Sequence, residues 1–537
     1  MPRSLLCLAL CLPLQLWAGQ SLVVCTEAAP EGFDIVQYTA ATTADAAAET
    51  LFDRLVQFAP GTTRIVPALA QSWEISADGL SYTFRLRAGV QFHHTPWFTP
   101  SRPFDADDVL WSFQRQLDPQ HPWHTLSPRG FPYVESMALG QLIARIDKLD
   151  AQHVRFVLKH PEAPFLADLA MGFASIYSAE YAAQLLQAGT PERLNSQPVG
   201  TGPFVFERYA KDAQIRYRAN PDYWAGKPPL DKLLFAITPD PNVRVQQVKA
   251  GACQVALYPK PTDVPALRQE PKLRLGEQEA LMIAYVALNT RHPPLDDVRV
   301  RQAINLAFDK QAYIRAQYGE GAASPAVNPY PPSLLGYNGA IAPWPHDPAR
   351  AKRLLAEAGH ASGLKLSIWT RPGGGPTNPN PGIGAQMLQA DLAAIGIQAQ
   401  IRVYEWGELI KRAKHGEHDL VFMGWVGDNG DPDNFLTPNL SCAAAKSGEN
   451  QAGWCNPQFD ALIRQARQSR EQGERAALYR QALEIFHEQA PWIPLAHPKL
   501  FILFSPEVEG LRMSPLGSNN FARVRRQSPP PAVDHNP

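Results

Sequence analysis

The second half of the chain alternates between segments with helical periodicity and segments typical of strands, and this alternation constrains the fold more than any other feature. The helical periodicity covers residues 298–318, 348–360 and 385–396, and the strand-like runs cover 364–369, 399–406 and 418–425. Helices that alternate with strands in this way are typical of α/β layers. Because 385–396 is followed directly by a strand-like run, the two resemble a crossover unit, and a mixed sheet flanked by helices is expected.

The first half contains more strand-like sequence. Residues 21–25 are a short β-branched run suited to a buried strand, and residues 71–93 alternate polar and apolar side chains around an Ala-Asp-Gly turn, as in a β-hairpin. A helix is predicted to begin at Ala106, and two further strands are predicted at 204–209 and 214–218. At 537 residues the chain exceeds the size that one hydrophobic core usually serves, so two or more lobes are expected.

The N-terminus has the pattern of a secretory signal peptide. One arginine is followed by an apolar run from Leu5 to Trp17 and by small residues at Ala18 and Gly19, which predicts a signal over residues 1–18. The run is shorter than the ~20 apolar residues that a transmembrane helix needs. The sequence therefore predicts an exported protein that is not inserted in a membrane once the signal has been removed.

Charge and motifs argue against several classes of function. The chain has 50 Lys and Arg residues against 51 Asp and Glu, a formal net charge of -1, which argues against nucleic acid or an anionic membrane as the main partner. It has no Gly-x-Ser-x-Gly elbow, no phosphate-binding loop and no His-Glu-x-x-His zinc helix. We therefore expect no catalytic residue, no bound metal and no cofactor. An exported enzyme that acts on peptides is the alternative hypothesis.

The sequence GWVGDNGDPDN, at residues 424–434, is a glycine-rich loop with three carboxylates. Asp428, Asp431 and Asp433 lie close in sequence to Trp425. Such a loop could hold a metal, supply an acid and a base for catalysis, or offer one carboxylate to a cationic ligand. Calcium fits poorly, because an EF-hand count from Asp428 places a glycine third and a proline fifth. Catalysis would need a second positioned group, which the sequence does not identify.

Four cysteines remain after removal of the signal: Cys25, Cys253, Cys442 and Cys455. They allow three disulfide pairings in an oxidising compartment. We favour Cys25 with Cys253 and Cys442 with Cys455, the second of which closes a short loop just after the acidic motif. No Cys-x-x-Cys spacing indicates a zinc site.

Six segments taken together resemble a known protein family. They are PALAQSWEISADGLSYTFRLRAGVQFH, FDADDVLWSF, PVGTGPFVFERY, NPDYWAGKPPLDKLLFAITPD, PLDDVRVRQAINLAFDK and GWVGDNGDPDNF. In this order they are similar to segments of the family-5 solute-binding proteins of bacterial ABC importers. The segments EAPFLADLAMGFASI, YEWGELIKRAKHGEHDL and LSCAAA most resemble the dipeptide-binding members of that family.

The resemblance implies a periplasmic, monomeric binding protein without catalytic activity. In such proteins a peptide lies in a cleft between two lobes, the lobes close over it, and an inner-membrane ABC permease recognises the closed form. The implied fold is that of a two-lobed periplasmic binding protein of type II, cluster C: an α/β fold with mixed sheets flanked by helices and an extra subdomain in the larger lobe. The favoured disulfide pairing agrees with this resemblance.

The resemblance also implies domain boundaries. Residues 1–18 are the signal peptide, 19–280 form lobe I with an extra subdomain at about 53–203, 281–498 form lobe II, 499–523 return to lobe I, and 524–537 form a disordered tail. Two hinge strands are expected to join the lobes.

By the same resemblance, Asp428, Thr39, Trp406 and Trp425 are assigned to the ligand site. Asp428 would receive the α-ammonium of a bound peptide, because a carboxylate buried in a closed cleft needs a charge partner and an ammonium supplies up to three donors. Thr39 would approach the ligand from lobe I, and Trp406 would cover it from lobe II. Trp425 would add a cation–π contact or, equally, pack in the core. The other two carboxylates of the loop are assigned to turn hydrogen bonds.

At three positions the sequence departs from the dipeptide-binding members. Gly375 stands where relatives have the arginine that holds the peptide's carboxylate, Thr377 where they have an aromatic residue, and Phe131 where they have a tyrosine. Arg371 could reach the position of that arginine, because three consecutive glycines make the loop pliable. Peptides are therefore the expected ligands, and their length is left open. Capture of haem, capture or sensing of antimicrobial peptides, and binding of modified peptides are alternatives.

Overall fold

The computed structural model describes residues 20–527. Its β-strands are, in chain order, β1 Ser21–Thr26, β2 Val56–Phe58, β3 Ile65–Pro67, β4 Ala70–Ile75, β5 Ser81–Leu86, β6 Ile143–Asp150, β7 His153–Leu158, β8 Phe204–Ala210, β9 Gln214–Ala219, β10 Lys232–Ile237, β11 Val255–Leu257, β12 Arg274–Glu279, β13 Met282–Leu288, β14 Ala323–Pro325, β15 Leu364–Thr370, β16 Ile397–Val403, β17 Leu420–Val426, β18 Trp492–Phe504, β19 Val508–Glu509 and β20 Arg525–Arg526.

Its α-helices are, in chain order, α1 Ala41–Thr43, α2 Ala106–Leu117, α3 Pro122–Thr125, α4 Pro132–Ser136, α5 Leu139–Leu142, α6 Phe165–Asp168, α7 Ala179–Gln187, α8 Pro241–Lys249, α9 Val264–Leu267, α10 Val298–Ala307, α11 Lys310–Tyr318, α12 Pro348–Glu357, α13 Pro381–Ala394, α14 Trp406–Lys414, α15 Asp433–Leu440, α16 Cys442–Ser447, α17 Pro457–Gln468 and α18 Gln472–Gln489.

Side-chain caps set several helix boundaries. Helix α2 begins at the predicted residue, and Asp105 and Asp108 form a capping box around its first turn. The predicted helical segment 298–318 is two helices, because Phe308 adopts an extended conformation and the Asp309 side chain accepts a hydrogen bond from Ala312 N at the start of α11.

One mixed sheet of twelve strands runs through the described part of the chain. Its order is β16-β15-β17-β13-β18-β11-β1-β10-β9-β8, and β12 and β14 also pair with β18. Strands β15 and β16 pair in parallel, and α13 connects them along the chain. This arrangement confirms the predicted crossover unit. Because β13, β17 and β18 pair antiparallel while β1 pairs in parallel with β10 and β11, the sheet is mixed, as predicted.

A smaller antiparallel sheet has the order β4-β5-β7-β6. Strands β4 and β5 are the hairpin that the alternating pattern predicts. Every second residue of β5 points inward, and Phe84 packs edge-on against Phe156 of β7 with ring centroids 5.7 Å apart. This sheet lies within residues 53–203, the range expected for an extra subdomain.

The buried apolar side chains form separate clusters in the two halves of the molecule. One cluster draws on residues 22–257 and 502–524, and two others draw on 264–501 and 281–492. Strand β18 crosses between them, because its first residues pair with β13 and its last residues pair with β11 and β12. The chain also crosses between the clusters where β12 leads into β13. Both crossings lie near the predicted boundaries at 280 and 498, and the role of these segments as hinges stays a prediction.

Both favoured disulfides are present. The Cα atoms of Cys25 and Cys253 are 5.9 Å apart, and those of Cys442 and Cys455 are 4.5 Å apart. The predicted signal peptide lies outside the described residues, as does 528–537. Contrary to the expectation of a disordered tail from 524, Val524 is buried and β20 pairs with β19, so backbone hydrogen bonds hold the chain as far as this strand. From residue 20 to 527 no helix is both long and apolar enough to cross a bilayer.

Candidate functional site

Asp428 lies where the two halves of the molecule meet. It follows β17 in the acidic loop, and its carboxylate faces Tyr133 on the short helix α4 of the first half. Tyr133 Oη donates a hydrogen bond of 3.2 Å to Asp428 Oδ1, and Asn434 Nδ2 donates one of 3.2 Å to Oδ2. Within residues 20–527, no Lys, Arg or His is among the groups that shift the pKa of this carboxylate.

The surroundings of Asp428 make its ionised form less stable than in water and leave it without a cation. Burial raises the pKa of Asp428 to about 6, although the hydrogen bonds from Asn434 and Tyr133 act to lower it. The Tyr133 phenol remains a donor, because burial and the adjacent carboxylate raise its pKa well above the usual value. An ammonium group would supply the charge partner that the carboxylate lacks, together with strong N–H donors. The site is therefore suited to a cationic ligand group.

Asn434, at the start of α15, holds the loop that presents Asp428. Its Oδ1 atom accepts hydrogen bonds from Asp428 N at 2.9 Å and from Trp425 Nε1 at 3.2 Å. Gly427 allows the backbone to pass close by, since a Cβ atom at this position would lie 2.6 Å from the ring of Phe435. The Trp425 ring is partly buried and its indole N–H has a partner, so this residue supports the loop. Its cation–π role stays a prediction.

The other two carboxylates of the loop belong to a network of hydrogen bonds and ion pairs. Asp431 lies 2.7 Å from Arg475 Nη2 and accepts a hydrogen bond of 3.3 Å from Tyr479 Oη. Asp433 accepts one of 2.5 Å from Thr437 Oγ1 and donates its backbone N–H to Asp431. Loop hydrogen bonding was expected of these residues, and the ion pair was not. Nowhere in residues 20–527 do three or more His, Cys, Asp or Glu side chains form a group that could hold a metal ion.

A second contact between the halves lies next to Asp428. Asn429 Nδ2 donates a hydrogen bond of 2.7 Å to Asp168, and Arg467 Nε lies 2.5 Å from Glu162 Oε1 and 3.8 Å from Asp433 Oδ2. Burial raises the pKa of Glu162 to about 7 and that of Asp168 well above its usual value. The loop is thus joined to the first half on both sides of Asp428, through Tyr133 and through this group.

Arg371 lies over Trp406 and beside Gly375. Its guanidinium carbon is 4.8 Å from the centroid of the Trp406 ring, and Nη2 donates a hydrogen bond of 2.8 Å to Gly374 O. A Cβ atom added at Gly375 would collide with Arg371 Nη2. The head of Arg371 therefore occupies the space that a side chain at position 375 would need. Within residues 20–527 Arg371 has no salt-bridge partner, and burial lowers its pKa.

The remaining predicted residues differ in their exposure. Thr39 is exposed, and 45% of the Trp406 surface is exposed at the start of α14. Thr377 is buried, and its side chain covers Gly424 so closely that a Cβ atom there would collide with it. Phe131 is 2% exposed and packs on His124 with ring centroids 5.1 Å apart.

Two residues that contact Asp428 were missed by the sequence reasoning. Tyr133 directs its hydroxyl to the carboxylate. The sequence Phe-Pro-Tyr offers an aromatic residue on either side of the proline, and the match of Phe131 to a tyrosine of relatives stays a prediction. Asn434 was read as part of the motif without a role, although a polar side chain at the start of a helix is a common loop anchor.

Known proteins resemble the chain along nearly its whole length. The family model described as bacterial extracellular solute-binding proteins, family 5 Middle, matches residues 64–447. Di/tripeptide-binding protein 4 of Pseudomonas aeruginosa (strain UCBPP-PA14) is 64% identical over 504 residues, which are 94% of this chain and 94% of that protein. The structure of HbpA2 from Haemophilus parasuis has a TM-score of 0.89 and 42% identity, covering 95% of this chain and 100% of the other. The ABC transporter-associated periplasmic binding protein DppA from Helicobacter pylori, in complex with the peptide STSA, has a TM-score of 0.83 and 38% identity, covering 95% and 98%.

Proposed function

The chain belongs to the family-5 bacterial extracellular solute-binding proteins, and from this premise we propose that it captures peptides in the cleft at Asp428 and delivers them to an inner-membrane ABC permease. Its fold is that of the two-lobed periplasmic binding proteins of type II, cluster C. The family is one of solute-binding proteins, which supports a binding function without catalysis. A relative named for di- and tripeptides and a structural neighbour in complex with a peptide support peptides as the ligand class. The signal pattern at residues 1–18 supports a periplasmic location, and delivery of one ligand per chain suits a monomer.

The Asp428 carboxylate is the observation that carries this proposal. It is buried, its pKa is raised to about 6, and it has hydrogen-bond donors but no cation beside it among the described residues. The α-ammonium of a peptide is a small cation with three donors, and it is present on every peptide regardless of sequence. A carboxylate that binds it gives affinity for peptides as a class, while the rest of the cleft selects among them.

Arg371 is proposed to hold the other end of the peptide. It lies in the space beside Gly375 and over the ring of Trp406, and it has donors left after the one hydrogen bond, to Gly374 O, that its side chain makes within residues 20–527. A planar guanidinium binds a carboxylate through two parallel hydrogen bonds, so Arg371 can replace an arginine at position 375. Trp406 then has two roles, since it positions Arg371 and covers the ligand. Thr39, Thr377 and Trp425 are proposed as lining residues of the same cleft.

Calorimetric titration with trialanine and N-acetyl-trialanine tests the proposed function. The wild-type protein should bind trialanine and should bind the acetylated peptide at least roughly 30-fold more weakly, because a buried hydrogen-bonded charge pair that loses one partner costs ~2–5 kcal/mol. Asp428→Asn should lose affinity for trialanine to a similar extent and should no longer distinguish the two peptides.

Asp222→Asn is the matched control, because Asp222 is exposed and its carboxylate makes no hydrogen bond or ion pair within the described residues. It removes the same charge and should bind trialanine like the wild type. Equal affinity of the wild type for the free and the acetylated peptide would contradict the role of Asp428. Failure of a library of di-, tri- and longer peptides to bind, together with binding of haem, would reject peptides as the ligand class.

A further inference from the structure

A second cavity lies in the first half of the molecule. Its volume is about 440 Å³, and its walls are the loop between β2 and β3, the turn at 223–226 and the segment 510–523. None of the residues assigned to the peptide cleft is among the described residues that line it. We infer that this cavity is an accessory site for a small organic anion that carries two or more carboxylate or phosphate groups.

Positive charge dominates the lining of the cavity. Arg54, Arg64, Arg512 and Arg523 line it, and Glu49 is the one acidic residue among its described lining residues. Arg64, Arg512 and Arg523 are exposed, and their guanidinium groups make no hydrogen bond or ion pair with any residue from 20 to 527. A concave surface lined by charges of one sign concentrates ions of the opposite sign. Guanidinium groups are suited to bind carboxylates and phosphates through paired donors.

Glu49 neutralises only Arg54, with which its carboxylate forms an ion pair, and leaves the other three arginines of the described lining without a counter-charge. Arg54 is buried, and its Nη2 atom donates to Glu49 Oε1 at 3.2 Å, while Asn520 Nδ2 donates to Glu49 Oε2 at 3.3 Å. Arg54 Nη1 donates to Ala48 O at 3.2 Å, and Arg54 Nε is buried without a hydrogen-bond partner in the described residues. The wall therefore has a buried arginine that is only partly paired and three exposed arginines that are unpaired. An anion in the cavity would compensate the charge of the three unpaired arginines.

Two aromatic residues of the lining, Tyr223 and Trp224, are held in place by hydrogen bonds. Tyr223 Oη and Trp224 Nε1 donate to the two carboxylate oxygens of Asp53 at 3.2 and 3.0 Å. The guanidinium carbon of Arg87 lies 4.4 Å from the centroid of the Trp224 ring. Together with Phe58, these rings give the cavity an apolar surface for a carbon skeleton. The combination of arginines and aromatic rings in one lining favours an organic anion over an inorganic one, and the volume suits a small molecule.

Titration of the wild-type protein with citrate and with inorganic phosphate tests this site. Citrate should bind with one site per chain and at least about tenfold more tightly than phosphate, because it can pair with several arginines at once. The double variant Arg512→Gln/Arg523→Gln should weaken citrate binding at least about tenfold, since each charge-assisted hydrogen bond makes a large contribution. Trialanine affinity should be unchanged in this variant, so the experiment tests the anion site independently of the peptide cleft.

The matched control is Arg350→Gln/Arg353→Gln, which removes the same charge from two exposed arginines of α12. Citrate should bind this variant like the wild type. An equal loss in both double variants would show general attraction to a cation-rich surface and would overturn the inference. The absence of saturable citrate binding would also overturn it. If citrate does not bind, and the protein sediments with phosphatidylglycerol vesicles but the Arg512→Gln/Arg523→Gln variant does not, the arginines bind a lipid surface and the inference is wrong.

Discussion

Asp428 couples ligand affinity to pH, because its pKa of about 6 lies close to neutrality. A ligand ammonium pairs with the ionised carboxylate, so protonation of Asp428 competes with binding. Between pH 7 and pH 5 the affinity for trialanine should therefore fall roughly tenfold, as expected for a group with this pKa that must lose its proton before it binds. Titrations across this range in one buffer system measure the effect. Affinity that is the same at pH 5 and pH 7 would contradict it.

The same ionisation should affect the stability of the unliganded protein with a definite sign. The folded pKa of Asp428 is raised above the value of an unfolded chain, so ionisation costs folding free energy. That cost is absent below about pH 4, grows between pH 4 and pH 6 and is complete above pH 6. Unliganded Asp428→Asn should therefore melt at a higher temperature than the wild type at pH 8 and at the same temperature at pH 4. The affinity of this variant for trialanine should not change between pH 7 and pH 5.

Arg371 gives the third prediction at the scale of single residues. Arg371→Met should weaken binding of trialanine by about 10- to 100-fold, since hydrogen bonds to a charged group contribute ~1.5–3 kcal/mol each. It should leave the affinity for trialanine amide unchanged, because the amide has no carboxylate to pair. The double variant Arg371→Met/Gly375→Arg should regain binding of the free acid, because removal of Arg371 clears the space in which a side chain at 375 collides. Equal losses for acid and amide would contradict the assignment.

At the scale of elements, local patterns were reliable and distant contacts were not. The crossover of β15, α13 and β16 follows from a helical period of about 3.6 followed by a strand-like run, and both signals are local. The contact between Tyr133 and Asp428 joins α4 to the acidic loop across 295 residues of sequence. No periodicity records which of two aromatic residues beside Pro132 faces that loop. The packing of the subdomain decides it, which is why the sequence did not identify Tyr133 as a neighbour of Asp428.

Helix α17 gives a prediction about the contact between the two halves. Arg467→Gln leaves the buried carboxylates of Glu162, Asp168 and Asp433 without their nearest cation. Loss of one partner of a buried ion pair costs ~3–5 kcal/mol, so the variant should be clearly destabilised at pH 8. The loss should be smaller at pH 5, because Glu162, with a pKa of about 7, is then protonated and needs no cation.

Arg464→Gln on the same helix is the control for this variant. Arg464 is largely exposed, with an ion pair of 3.6 Å to Asp460, and removal of such a pair costs only ~0–1 kcal/mol. Denaturant unfolding of both variants at the two pH values measures the difference. A destabilisation by Arg467→Gln that is equal at pH 5 and pH 8 would show that the carboxylates do not carry the effect.

At the scale of the whole molecule, the chain is divided into two cores that share one sheet. Length alone predicted more than one lobe, and the boundaries near 280 and 498 came from the resemblance to a family. The sequence did not reveal that β18 is a single strand of 13 residues that pairs with partners in both halves. Nor did it reveal the contacts between Asn429 and Asp168 and between Arg467 and Glu162, since each joins residues separated by more than 250 positions. These contacts should couple the unfolding of the two halves.

We therefore expect the molecule to unfold as one cooperative unit and to show this in the size of its response to peptide. A peptide at 100 times its dissociation constant adds ~2.7 kcal/mol to the folded state. Spread over the unfolding entropy of about 500 residues, this raises the melting temperature by ~2–3 °C, whereas one independently melting lobe would shift by ~5 °C. Scanning calorimetry with and without trialanine distinguishes the two cases. One transition with the small shift, and with equal calorimetric and van't Hoff enthalpies, would establish a single cooperative unit. Two resolved transitions, of which only one shifts by the larger amount, would show that β18 and the contacts beside Asp428 do not couple the lobes.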